Sequence, residues 1–281
     1  PGVAALRAKK HVIMEKPLEI TLNRCDKLIA EAKKNKVVLS TIFPSRFHGP
    51  AKEIKRAVAS GRFGTLTMGD AYVKWFRTQE YYDSGAWRGT WALDGGGALM
   101  NQAVHSVDLL CWLMGDVAEI TAHTATLAHK RIEVEDVAVA TLKFRNGALG
   151  VIEASTAVYP GYLKRIEISG SHGTAVMEEE DIKTWEFAKS RRRDAAILKA
   201  LAGKTKSGGG ASDPSAIGHH GHTEQFKDVL SAIKKGTKPL IDGPEGRKAV
   251  EVILGIYKAA ETGKTVKLPL KGEPQRGRKK K

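Results

Sequence analysis

Between residues 117 and 178 the chain alternates apolar and polar residues in five runs separated by short turns: 117–127, 135–144, 147–155, 162–169 and 173–178. Period-two alternation is the pattern of half-buried strands. Strands joined by short turns pair as antiparallel neighbours, because a parallel connection needs a crossover of a dozen residues or more. Asn146-Gly147 between the second and third runs marks a hairpin, since both residues tolerate positive φ. Residues 66–77 add another strand, with Tyr72, Lys74 and Phe76 on one side. Helical periodicity returns at 223–234 and 244–262, and a strand series flanked by helices is the α+β pattern.

The beginning reads differently. Apolar segments at 12–14 and 37–43 flank a stretch where Leu22, Cys25, Leu28, Ile29 and Ala32 recur at helical spacing. Strand, helix, strand is a βαβ unit with parallel strands. Residues 1–9 read as the tail of a helix, and 50–60 as a helix stopped at Gly61. The whole is therefore α/β plus α+β.

Two motifs carry chemistry. Gly95-Gly96-Gly97 opens a helical pattern over 98–114 with polar groups at Asn101, His105 and Asp108. Residues three and four apart share a helix face, so these three are expected together. A histidine near neutrality beside an amide and a carboxylate suits proton transfer from an alcohol; taken alone, the same helix reads better as core with one hydrogen-bonded histidine. The second motif is Glu15-Lys16-Pro17, where the first strand stops. Open α/β sheets bind ligands at such strand ends, and proline restricts the backbone of the lysine before it.

Glu-Lys-Pro followed about eighty residues later by Gly-Gly-x-x-x-Asn-x-x-x-His-x-x-Asp resembles the Gfo/Idh/MocA oxidoreductases. The likeness runs to about Leu270. It also rests on 44–47, Tyr81-Tyr82, Trp87-Arg88-Gly89-Thr90-Trp91, Glu135-Asp136, Asn146-Gly147-Ala148, 170–173, and the closing helix with 262–269. The tryptophan-rich segment and the glycine run are similar to a branch that includes dehydrogenases of sugars and nucleotide-linked sugars.

The resemblance implies a remnant of a Rossmann dinucleotide-binding domain (1–43), then a C-terminal α/β domain with a large, mainly antiparallel open sheet (44–270). A basic disordered tail (271–281) is expected to follow. It implies hydride transfer between a sugar hydroxyl carbon and NAD or NADP, with Lys16, His105 and Asn101 catalytic. His105 would be the general base and Lys16 would stabilise charge on the same oxygen. Many relatives have aspartate at position 101; asparagine takes no proton, so base duty falls on His105, with Asp108 at most positioning it. Glu15, Lys16, Pro17 and Arg46 are expected beside the cofactor. Tyr82, Trp87, Arg88, Asn101, His105 and His222 are expected at the substrate. Tyr81, Tyr82, Trp87 and Trp91 would form a sugar-facing wall, and Arg88 would grip a phosphate or carboxylate or else make a structural salt bridge.

The family's Gly-x-Gly-x-x-Gly phosphate loop is missing before Lys16. Gly208-Gly209-Gly210 sits in a polar stretch and does not replace it. The expectation is a fragment that is inactive as it stands and binds no dinucleotide tightly. An NAD-dependent glycoside hydrolase of the same family and a non-catalytic assembly protein are the rival readings.

Composition narrows the class. A formal charge of +15 over 281 residues raises nucleic acid. The excess, however, concentrates in 191–206 and in the terminal Arg276, Arg278 and Lys279–Lys281, and no nucleic-acid motif accompanies it; anionic sugars use the charge better. No apolar run reaches the ~18 residues of a membrane span. Cys25 and Cys111 read as reduced core thiols of a cytoplasmic protein. His219, His220 and His222 lack a second ligand cluster, so no metal is expected. A homo-oligomer, dimer or tetramer, through the open sheet is expected.

Overall fold

In a computed structural model of the chain, the residues described are 1–203, 211 and 218–274. Helix α1 (Gly2–Arg7) leads into strand β1 (Val12–Met14), helix α2 (Leu22–Asn35) and strand β2 (Leu39–Thr41). The strands pair in parallel, Val12 with Leu39 and Met14 with Thr41. Leu22, Cys25, Leu28 and Ala32 form the buried face of α2. Its first turn is capped twice. Thr21 Oγ1 accepts from the Arg24 amide, and the Glu273 carboxylate accepts from the amides of Leu22 and Asn23 at 3.2 and 3.0 Å. An anion at a helix N-terminus satisfies orphan amides and meets the positive end of the helix dipole.

That cap corrects the expectation of a disordered tail from 271. Residues through Pro274 fold against α2, and Pro274 is buried. Arg276, Arg278 and Lys279–Lys281 lie outside the described residues, as do Gly208–Gly210.

After a 3-10 turn at Pro44–Phe47 and helix α3 (Gly49–Ala59), the chain enters a second sheet. Its strands are β3 (Leu66–Lys74), β4 (Val117–Ala125), β5 (Val137–Phe144), β6 (Leu149–Ser155), β7 (Arg165–Gly170), β8 (Gly173–Glu178), β9 (Asp181–Phe187) and β10 (Val266–Lys267). The order is β10-β4-β5-β6-β3-β7-β8-β9. Only β3 with β6 is parallel; the other pairs are antiparallel. In β5, Ala138, Ala140, Leu142 and Phe144 are buried while Val139, Thr141 and Lys143 are exposed, so one face is core and the other is open. The core face is covered by α5 (Val104–Met114) and by α8 (Gly243–Thr262). Helix α8 also packs on α2 and β2, and α7 (His220–Lys235) packs on the turn at Pro44–Phe47. The two sheets thus share their helical cover.

Three local details depart from the sequence pattern. Helix α4 (Gln79–Asp83) and helix α6 (Arg192–Leu201) fold in stretches to which the sequence pattern assigned no helix. Helix α6 forms because Asp194 accepts from the Arg191 amide, and because Ile197 finds a buried site. The hairpin at 144–148 is not a two-residue turn: only Gly147 takes positive φ, and its amide returns to the Phe144 carbonyl at 3.0 Å. Asn146 instead ties the turn down by donating to the Met114 carbonyl.

Candidate active site

Lys16 stands just beyond the carboxyl end of β1, where a parallel sheet opens toward ligands. Its Nζ donates to the Asn101 carbonyl at 2.6 Å and approaches Asn101 Oδ1 at 3.4 Å. Residues 16 and 101 are thereby joined through one ammonium. From the adjacent strand end, Phe43 packs edge-on against the His105 ring, centroids 5.7 Å apart. The parallel pair β1–β2 therefore delivers one contact to Asn101 and one to His105.

Both of those residues lie at a helix junction. Residues Ala98–Ala103 form a π-helix that passes into α5 at Val104. The sequence pattern implied uninterrupted α-helix over 98–114. The wider π turn has a five-residue hydrogen-bond step and recurs at functional sites. The glycines make it possible. A Cβ on Gly97 would stand 1.8 Å from the Glu135 carbonyl oxygen, and one on Gly96 would stand 2.1 Å from the Tyr257 hydroxyl. Glu135 then caps the π turn, accepting from the amides of Gly97 and Leu99 at 3.0 and 2.9 Å and from the Tyr257 hydroxyl at 2.9 Å. Burial pushes the Glu135 carboxyl up to about 7 despite these donors.

The electrostatics suit an alcohol's proton. Burial, then the Lys16 charge, hold His105 well below the ordinary imidazole value, so the ring is neutral and has a lone pair free to accept a proton. Its Nδ1 is buried without a partner. Burial also lowers Lys16, while Asp94 and Glu15 favour its ammonium.

Asp94 is the residue that sequence reasoning missed. It is buried, accepts from the Gly89 amide at 3.0 Å, and accepts from Asn101 Nδ2 at 2.7 Å. Asn101 is thus fixed with its amide nitrogen toward Asp94 and its oxygen toward Lys16. A carboxylate is absent at 101 but supplied one side chain away. The only signal was its place directly before the glycine run. His48 was also missed: its Nδ1 is buried without a partner, and burial pushes it down to about 3. His222, in the first turn of α7, likewise has a buried Nδ1 without a partner, and its charge bears on His105.

Other expected residues are elsewhere. Arg46 does not face the cleft. Its guanidinium is consumed by Asp108, at 2.8 and 2.7 Å, and by Glu245 at 2.9 Å. Asp108 therefore does not position His105, although it lies only three residues on along the helix, because both of its carboxylate oxygens are taken by Arg46. Tyr82 is core: its hydroxyl is bound to Thr156 Oγ1 at 2.8 Å and its ring packs on His129. Trp91 packs edge-on against Tyr257. Of the expected aromatic wall, Tyr81 and the exposed Trp87 remain, and both rings flank Arg88. Glu15 is exposed, and its carboxylate accepts from the Lys16 amide. Pro17 follows it through a cis peptide bond. Among the described residues no His, Cys, Asp and Glu side chains group to hold a metal, and no helix is long and apolar enough to cross a membrane.

Comparison with known proteins identifies the architecture. Residues 2–43 match the family model for the oxidoreductase family with an NAD-binding Rossmann fold, and residues 51–176 match that of the GFO/IDH/MocA C-terminal domain. Over 274 residues the chain is 30% identical to myo-inositol 2-dehydrogenase of Thermotoga maritima, covering 95% of this chain and 75% of that protein. The chain belongs to the Gfo/Idh/MocA oxidoreductase family.

Among solved structures of the family, the WlbA dehydrogenase of Chromobacterium violaceum, in complex with NADH and UDP-GlcNAcA, is 35% identical. It superimposes with a TM-score of 0.84 over 96% of this chain and 74% of that one. The Bordetella pertussis WlbA dehydrogenase, with the same two ligands, is 33% identical, with a TM-score of 0.81 over 96% and 75%. The chain thus spans about three quarters of these relatives.

The described residues fit one end of a Gfo/Idh/MocA dinucleotide. The strand end with Glu15, Lys16 and Pro17 fits the nicotinamide end, because Lys16 is tied there to Asn101 and its charge is felt by His105, four residues further along the helix. The pyrophosphate end has no such fit at α2, whose N-terminal amides are already taken by Thr21 and Glu273.

Proposed function

We propose that this chain carries the substrate-facing and proton-handling part of an NAD(P)-dependent dehydrogenase acting on a CH–OH group of a sugar or nucleotide-linked sugar. The carrying observation is the 2.6 Å contact of Lys16 Nζ with the Asn101 carbonyl, beside a neutral, partly unpartnered His105. The bound cofactor supplies a hydride acceptor; Glu15, Lys16 and Pro17 border its position. Inositol and sugar-nucleotide dehydrogenases among the relatives support the substrate class.

The protein's part is placement and charge. His105 takes the hydroxyl proton as the carbon–hydrogen bond breaks. Lys16, held by the Asn101 carbonyl, keeps a hydrogen for the same oxygen and stabilises its developing negative charge. Asn101, oriented by Asp94, fixes the hydroxyl between them. The open sheet face, with Met68, Val139 and Leu149 exposed, serves self-association into a dimer or tetramer.

The test is NAD⁺ reduction by the protein at millimolar cofactor with inositols, aldoses and nucleotide sugars. Lys16→Ala and His105→Ala should each lower turnover ~10²-fold or more. Wild-type turnover in both variants at saturating substrate would refute the assignment. Calorimetry of this chain should show no micromolar NADH affinity; such affinity would place a pyrophosphate site within it.

A further inference from the structure

Arg88 is a half-buried cation with neutral partners. Its guanidinium carbon lies 4.2 Å from the centroid of the Tyr81 ring and 4.4 Å from that of Trp87. Nη1 donates to the Tyr81 hydroxyl at 2.7 Å and Nε to Ser84 Oγ at 3.2 Å. Nη2 has no partner among the described residues, and no carboxylate comes within ion-pair distance of the group. Three other arginines are neutralised, Arg46 by Asp108 and Glu245, Arg62 by Asp194, and Arg247 by Asp26 and Glu251; the buried Arg77 beside the same Tyr81 ring instead donates to the carbonyls of Phe76 and Ala211 and to Gln102.

The unneutralised guanidinium is wired to the reacting centre. The Tyr81 hydroxyl that accepts from Arg88 also accepts from Gln102 Nε2 at 2.9 Å. Gln102 Nε2 reaches Asn101 Oδ1 at 3.3 Å, and Lys16 Nζ lies 3.4 Å from that same oxygen. Two side chains, Tyr81 and Gln102, therefore separate Arg88 from Asn101. Arg88 disfavours the Lys16 ammonium and favours the Asp94 carboxylate, so its charge is felt on the cleft side. Lys164, paired with Glu179 at 2.9 Å, adds positive charge toward His105.

A partly desolvated charge without a counterion is unfavourable unless a ligand completes it. The free edge of a guanidinium fork matches a planar carboxylate. We propose that Arg88, braced between Tyr81 and Trp87, is a specificity residue that binds a carboxylate on the reacting sugar ring, so that the substrate is a sugar acid. The proximity to Asn101 favours an acidic group on the same ring over a phosphate attached beyond its anomeric oxygen. This rests on the dehydrogenase reading for the location of the reacting hydroxyl only.

Ligand-observed NMR titration of the protein with millimolar NAD⁺ present tests it, using D-glucuronate, its methyl ester, D-glucose and D-glucose 6-phosphate. Glucuronate should bind at least tenfold more tightly than glucose or the ester, with the advantage shrinking as salt rises. Arg88→Gln should abolish that advantage and Arg88→Lys should keep part of it, both with wild-type unfolding midpoints. Equal affinity for acid and ester in the wild type, or an advantage that survives Arg88→Gln, overturns the proposal. Preference for glucose 6-phosphate over glucuronate overturns the carboxylate assignment. Acid preference through Arg88 without any NADH formation would sink the dehydrogenase reading and leave this one standing. NADH formation from neutral sugars, unchanged in Arg88→Gln, would do the reverse.

Discussion

Helix α5 carries two polar clusters within a single turn, and they are built on opposite plans. Around Asp108 everything is matched: Arg46 gives two hydrogen bonds to its carboxylate and one to Glu245, and both Arg46 and Asp108 are 2% exposed. Around His105, three residues earlier, matching is left incomplete. Among the described residues, His105 Nδ1, His48 Nδ1 and His222 Nδ1 are buried without hydrogen-bond partners, and Arg88 donates to the neutral Tyr81 and Ser84 side chains and to no carboxylate. Folding completes the first cluster by itself. The second leaves donors, acceptors and charge for something that binds. The contrast teaches that a carboxylate on the same helix as a candidate base need not serve that base, and that the partners a polar group has found say more about its role than its charge does.

The comparison breaks most readily at its closed end. Arg46→Met or Asp108→Leu alone should cost about 3–5 kcal/mol, because each strands a buried charge, whereas the double variant should recover most of that loss. Urea unfolding measures it. A double variant no more stable than the singles would show that the ion pair is not self-contained.

At the open end the effect should fall on chemistry. His105→Gln should change unfolding free energy by about 1 kcal/mol or less while turnover drops ~10²-fold. Since the base works neutral and its value is lowered, the acid limb of kcat/KM should lie below pH 6.5. A limb above that value would place another group in the base's role.

Glu135 connects the two ends through the π turn. Its carboxyl is raised from 4.5 to about 7. Between those values the folded protein keeps a proton that the unfolded chain has released, so stability should fall as pH rises through that window and level off above it. The full span is on the order of 3 kcal/mol, and Glu135→Gln should flatten it in pH-dependent thermal unfolding. An unchanged slope would remove Glu135 as its source. The smallest effect sharpens the boundary of the site: Tyr82→Phe should cost about 1 kcal/mol for the lost Thr156 bond, with KM unaltered. A rise in KM would return Tyr82 to the cleft.

Much of this was legible in advance for physical reasons. Alternation in 117–178 specified strands because each has one wet and one dry face, and β5 shows that alternation residue by residue. Helix α2 followed from its spaced Leu22, Cys25, Leu28 and Ala32. Lys16 and His105 were recognisable by type and spacing. Arg46 and Tyr82 were misplaced because spacing does not say which polar side chain has found a partner inside the protein. Asp94 was missed because a lone aspartate before a glycine run carries no periodic signal.

The amino-acid order by itself determined the strand series, the parallel βαβ opening, the glycine run and the identities of the groups able to move a proton. These are local properties, set by side-chain shape and spacing along the backbone. Only tertiary structure decided which of those groups are satisfied. The π turn at Ala98–Ala103, the Glu135 cap, the delivery of Lys16 to Asn101 and the sequestration of Arg46 by Asp108 join residues dozens of positions apart. Burial and pairing are properties of the assembled packing, and they decide whether a charge holds the fold together or waits for a substrate.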